Sequence, residues 1–169
     1  MTTARFALLL TFAWGVIATG VRHVGPVSRT MAHRPTAGLS DPVALAARIL
    51  RDADRFTSAA VGPGAIMSTY ALAWRVVAQS SAPDSVFRAI LATGSRPGKL
   101  YALAGLFLTD RATYARSSFY ERLQGGQVLT QMGCIVGEQQ VTSILDGMDR
   151  GEWTREFLTG RPQLVYMAG

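Results

Sequence analysis

The chain is poor in the residues that carry most protein chemistry: of its 169 residues one is cysteine, two are histidine and one, Lys99, is lysine. A lone Cys134 excludes an intramolecular disulfide framework and any cysteine-based zinc or iron–sulfur site within one chain. His23 and His33 both lie in a stretch broken by proline and glycine, and they lack ligand spacing such as H-E-x-x-H, so no metal is expected. A base on such a tether is also badly placed to serve a nucleophile, which argues against Ser-His-Asp or Cys-His hydrolysis. Charged residues amount to only 17% against 49% hydrophobic, enough apolar surface to offset the entropy of ordering. A packed core in one compact domain is expected.

The charge that is present is mostly one residue type. Sixteen of the 17 basic residues are arginine, giving a formal net charge of +6. The arginines are dispersed, and Asp52 and Asp54 are interleaved with Arg48, Arg51 and Arg55. A phosphate-binding surface needs a dense basic run or an aromatic ladder, and neither occurs, so no nucleic acid is expected as a partner. Gly94-Ser95-Arg96-Pro97-Gly98-Lys99-Leu100 falls short of a phosphate-binding loop: it is one residue too short, and Leu100 stands where magnesium requires a hydroxyl. It reads as a turn between helices.

One uncharged run stands out. Phe6 to Val21 is bracketed by Arg5 and by Arg22-His23, and as a helix it measures about 24 Å, slightly less than the roughly 30 Å hydrocarbon core. It fits a single membrane-spanning helix or, with Ala18-Thr19-Gly20 as a small-residue cleavage site, a signal sequence releasing a chain that begins at Val21. Arg22 just beyond the cleavage point resists translocation and favours retention. Ala7, Thr11, Gly15 and Thr19 recur every fourth residue, the stripe along which membrane helices approach closely. Residues 1–23 are therefore expected to be an anchor, or else a signal sequence, and residues 24–39 a Pro/Gly-containing linker. Arg22, Arg29 and Arg34 favour a cytoplasmic domain, while the basic start followed by an apolar run favours a periplasmic one; the expectation is the periplasmic face of a bacterial inner membrane.

Residues 40–169 read as a mainly α-helical domain. Ser40-Asp41-Pro42 starts a helix that carries a stripe from Val43 to Ala53 and ends near Phe56. Ala65 to Gln79, apolar on most sides, suits a central helix, with Trp74 in the core. Further helices are expected from Pro83 to Gly94, from Pro97, from Asp110 to Leu123, from Val141 to Met148 and from Gly151 to Leu158. A short β-hairpin is expected near residues 127–137, where Val128, Leu129, Met132, Cys134, Ile135 and Val136 make a run too short for a helix. Pro83 to Asp110, two helices with an Ala/Leu/Gly-rich second member, loosely resembles one HEAT-like helical repeat. A solenoid needs several copies, so this resemblance implies a helical hairpin and transfers no function.

Candidate functional residues are few. Asp146, Asp149, Glu152 and Glu156, mixed with Arg150 and Arg155, read as a solvated helix face and not as a carboxylate pair for catalysis. Trp153 is expected to be partly exposed and to anchor a partner. The tail Leu164, Val165, Tyr166 and Met167 follows Arg161-Pro162 and either packs back on the domain or lies on a partner. The expectation is a non-catalytic, single-span accessory subunit of a larger membrane complex, respiratory or photosynthetic, without cofactor or small-molecule substrate. The alternative is a cleaved, exported helical domain that binds a protein or envelope component.

Overall fold

The computed structural model describes residues 41–160. The anchor stripe Ala7, Thr11, Gly15 and Thr19, the linker 24–39 and the tail residues Leu164, Val165, Tyr166 and Met167 lie outside the described residues. Among the described residues no helix is long and apolar enough to cross a membrane.

Helix α1 (Pro42–Arg51) begins where the sequence places it, with the Asp41 carboxylate accepting from the Val43 N–H and proline at the first position. It stops at Arg51, five residues before Phe56. Strand β1 (Phe56–Val61) occupies the end of the expected helix, and β2 (Ile66–Met67) the start of the next one. The sequence of β1 hides it: Ser58, Ala59 and Ala60 have little strand preference, and a helical stripe running into Phe56 competes with it. What makes it a strand is its surroundings, since Phe56 through Ala60 are buried.

Helix α2 (Thr69–Ala78) starts at Ser68, whose hydroxyl accepts from the Ala71 N–H. The hairpin of α3 (Pro83–Thr93) and α4 (Arg96–Thr109) is present as expected. The central helix is α4 and not α2: every residue from Leu100 to Phe107 is buried, together with Pro97 and Gly98. Its glycines explain the fit. A Cβ on Gly98 would stand 2.6 Å from the Leu50 carbonyl oxygen, and one on Gly105 would stand 2.3 Å from the Phe87 ring. Ser95 seals the junction with α1, its N–H donating to the Arg51 carbonyl at 2.8 Å and its hydroxyl to that of Ala53 at 2.6 Å.

Helix α5 (Arg111–Gln124) is capped by Asp110 and ends at Gly125. The expected hairpin follows as β3 (Gln127–Gly133) and β4 (Ile135–Gln140), then α6 (Val141–Asp149) and α7 (Glu152–Thr159). The hairpin belongs to a larger sheet of order β2-β1-β3-β4, in which β1 runs antiparallel to β2 and parallel to β3. The parallel pair is separated in sequence by helices α2 to α5, a crossover of the kind parallel strands require. The fold is thus mainly helical with a small four-stranded sheet.

The β1–β3 register slips between Thr57 and Val61, leaving backbone groups that the ladder does not satisfy. Side chains repair the gap. The Ser58 hydroxyl donates to the Ala60 carbonyl while accepting from the Gly133 N–H, and on the other edge of β1, past the end of β2, the Glu156 Oε1 of α7 accepts from the Ala59 N–H at 2.7 Å. Phe56 sits in an aromatic cluster with Tyr101, Trp153 and Phe157, at ring-centre distances of 4.7, 4.7 and 6.0 Å.

Candidate functional site

A cleft of about 600 Å³ opens where the C-terminal end of α1, strand β1 and the start of α2 meet. Its wall holds Asp54, Arg55, Thr57, Ser68 and Tyr70. Arg55 grips Asp54 with two nitrogens, at 3.1 and 2.8 Å, and the Tyr70 hydroxyl donates to the same carboxylate at 2.7 Å. These donors, Arg55 first and Tyr70 second, hold the Asp54 carboxyl down at about 2. Burial, and after it the bond to Asp54, pushes the Tyr70 phenol up.

Deeper in, the Tyr101 hydroxyl accepts from the Thr57 N–H at 2.7 Å and lies 3.1 Å from the Thr57 hydroxyl. Burial drives the Tyr101 phenol far above its ordinary range. Thr57 in turn donates to Ser68, which is already occupied as the cap of α2. Each polar group is matched to another, so the network pins β1 to α2 and α4. Ser68, the hydroxyl best placed to act as a nucleophile, has no base beside it: its partners are a threonine hydroxyl and a backbone N–H. Among the described residues no group of three His, Cys, Asp or Glu could hold a metal ion.

The structure moves several residues singled out in the sequence. Trp153 is 1% exposed and its indole Nε1 donates to the Ile144 carbonyl at 3.0 Å, so it anchors the core and not a partner. The expected solvated acidic face divides in two. Asp146 and Asp149 are exposed and ion-paired with Arg122, whereas Glu152 and Glu156 are buried, Glu152 against Arg150. Helix α7 presents a carboxylate to the core because the Ala59 N–H, one residue beyond the pairing of β1 with β2, is otherwise unmatched. Cys134, part of the apolar run that reads as a hairpin, is exposed in the turn between β3 and β4, beside Gly133 at φ 59°.

The feature that the sequence did not reveal is which face of α5 turns inward. Its inward face is Tyr114, Ser118 and Glu121, while Phe119, Tyr120 and Leu123 are 58, 63 and 69% exposed. Hydrophobic periodicity would bury the second set, and the fold does the reverse. Polar partners hold the inverted orientation: Glu121 pairs with Lys99 at 3.8 Å, and the Tyr114 hydroxyl donates to Asp149 at 2.6 Å. Arg122, next to Glu121, bonds both Asp146 and Asp149 on α6 at 2.6 Å. Burial, and after it the Asp149 contact, pushes the Tyr114 phenol well up. A groove of about 580 Å³ runs along this helix, with Tyr114, Ser118, Phe119 and Arg122 in its wall. The signal that could have marked α5 was present in the sequence as two competing faces, one aromatic and one polar.

No protein-family model, curated protein or solved structure matches the chain significantly.

Proposed function

We propose that this chain is a non-catalytic accessory subunit of a larger membrane assembly, anchored through residues 6–21 with its helical domain on the periplasmic side. The inverted face of α5 carries the proposal. Three large apolar side chains held in water on one rigid helix, with Ser118 and Glu121 buried beneath them, make a surface that a protein partner covers favourably. The cleft beside β1 supports the same reading, because Asp54, Arg55, Tyr70, Thr57 and Ser68 are bonded among themselves and with Tyr101, and no hydroxyl among them is set up as a nucleophile with its base. The uncharged run from Phe6 to Val21 and its four-residue stripe of small side chains support the anchor.

Mild detergent extraction of native membranes, followed by intact mass and identification of copurifying proteins, tests this. A chain retaining its N-terminal residues in a membrane fraction, with a stoichiometric partner, is the expected result. A chain beginning at Val21, recovered alone from the soluble fraction, would overturn it in favour of an exported helical domain.

A further inference from the structure

Helix α7 ends at a well-anchored point. Gly160 caps it in the left-handed conformation, at φ 71°, and its N–H donates to the Glu156 carbonyl at 2.7 Å. Arg75 of α2 holds this end, its Nε donating to the Phe157 carbonyl and its Nη2 to the Leu158 carbonyl at 2.8 Å. A Cβ on Gly160 would stand 2.7 Å from the Met67 Cε and 2.9 Å from the Arg75 Nη2. The chain therefore leaves the described residues against β2 and α2.

Apolar surface surrounds that exit. Leu72 and Val76 stand one turn apart on α2, both exposed, on the side of the helix that Arg75 borders. Ile66, next to Met67 in β2, and Leu158, two residues before Gly160, are exposed as well. Arg75 is the one charged residue of α2, and it already bonds two carbonyl oxygens. An apolar segment laid beside it leaves both bonds in place.

The sequence beyond the exit matches this surface. Arg161, Pro162 and Gln163 are followed by Leu164, Val165, Tyr166 and Met167, four consecutive large apolar side chains and too few to form a core of their own. From Gly160 the chain spans at most about 14 Å to residue 164 and about 25 Å to residue 167. Helix α2, with ten residues, is about 15 Å long, so the run starts within reach of Leu72 and Val76 and can follow them.

We infer that residues 161–169 fold back on their own domain and lay residues 164–167 on the face of α2 that carries Leu72 and Val76, beside Ile66 and Leu158. A tail seated there leaves the face of α5 open to a partner, so this inference and the accessory reading stand or fall separately.

The test uses the whole chain in mild detergent with C134S. Under L72C, position 72 should react with a maleimide about tenfold more slowly than in a chain that also carries L164S, V165S, Y166S and M167S. Under L123C, on the face of α5, the two chains should react alike. A second measurement does not depend on the serine chain keeping its fold. L72C combined in turn with L164C, V165C, Y166C and M167C should give an intramolecular disulfide on gentle oxidation in at least one pair, and L123C with the same four in none. Equal rates at position 72 in two chains with the same far-ultraviolet spectrum, or disulfides formed with position 123 and not with 72, would overturn the inference. Protection that vanishes on dilution, or disulfides that link two chains, would place another copy's tail on α2 and overturn it too.

Discussion

Gly105 shows how much of this structure rests on a missing methyl group. Alanine is favoured over glycine inside a helix by about 1 kcal/mol, so on propensity alone Gly105→Ala would stabilise α4. A Cβ there would meet three Phe87 ring carbons at 2.3–2.4 Å, and that ring is fully buried with Trp74 5.9 Å away. Overpacking of this kind costs roughly 1–3 kcal/mol and outweighs the propensity gain. Gly105→Ala should therefore lower stability in urea by about 1 kcal/mol or more, and Phe87→Leu combined with it should recover part of that loss. A stabilised single variant would show that α3 and α4 are not in the close contact described. Asp54 bears on pH in the same direct way. Its carboxyl is held at about 2 in the folded chain, against about 3.9 in an unfolded one, by Arg55 and then Tyr70. A lowered folded value means that the contribution is complete above about pH 4 and is lost as pH falls from there toward about 2. The carboxylate is 57% exposed, so the contribution is small and screened by salt. Asp54→Asn should make the fall in melting temperature between pH 4 and pH 2 shallower at low ionic strength, while an unchanged slope would detach Asp54 from the acid limb.

At the scale of elements, the instructive cases are those in which local preference lost. Helix α5 was legible as a helix from its Asp110 cap and Gly125-Gly126 stop, but its orientation was not. Which face turns inward depends on Lys99, Asp146 and Asp149, contributed by α4 and α6, and no window along α5 contains them. Strand β1 is the complementary case, since its alanines and serine say little and its burial between β2, β3 and the helices says everything. Glu156 joins the two ideas: a carboxylate on α7 is buried because the two-residue β2 pairs only Ala60 and Val61 of β1 and leaves the Ala59 N–H to be met. Glu156→Ala removes that acceptor and leaves a void, at a cost of about 2–4 kcal/mol in equilibrium unfolding. Glu156→Gln keeps an oxygen at the same place and should cost less than half as much. Equal losses in the two variants would mean that charge, and not the bond to Ala59, is what β1 requires.

Across the whole molecule, the sequence by itself determined the inventory of helices. Their starts and stops are written in short-range chemistry: Asp41-Pro42, Ser95 and Asp110 satisfy backbone N–H groups at helix starts, and Gly125 ends α5. It determined the β3–β4 hairpin as well, because a short apolar run after a glycine pair has few other outcomes. It could not determine that the hairpin extends a four-stranded sheet, since β1 and β3 are joined only through the packing of the helices that separate them. The functional reading divides along the same line. Trp153 drew attention as a large side chain among charges, yet its burial is set by Phe56 and Phe157, which reach it from a strand at the sheet's centre and from the next turn of α7. Phe119, Tyr120 and Leu123 are left in water because Tyr114 and Glu121, on the opposite face, have partners inside. Caps and turns are decided by neighbours a few residues away, whereas the choice of inward face is decided by matching polar groups across the fold. Only the tertiary structure brings those groups together.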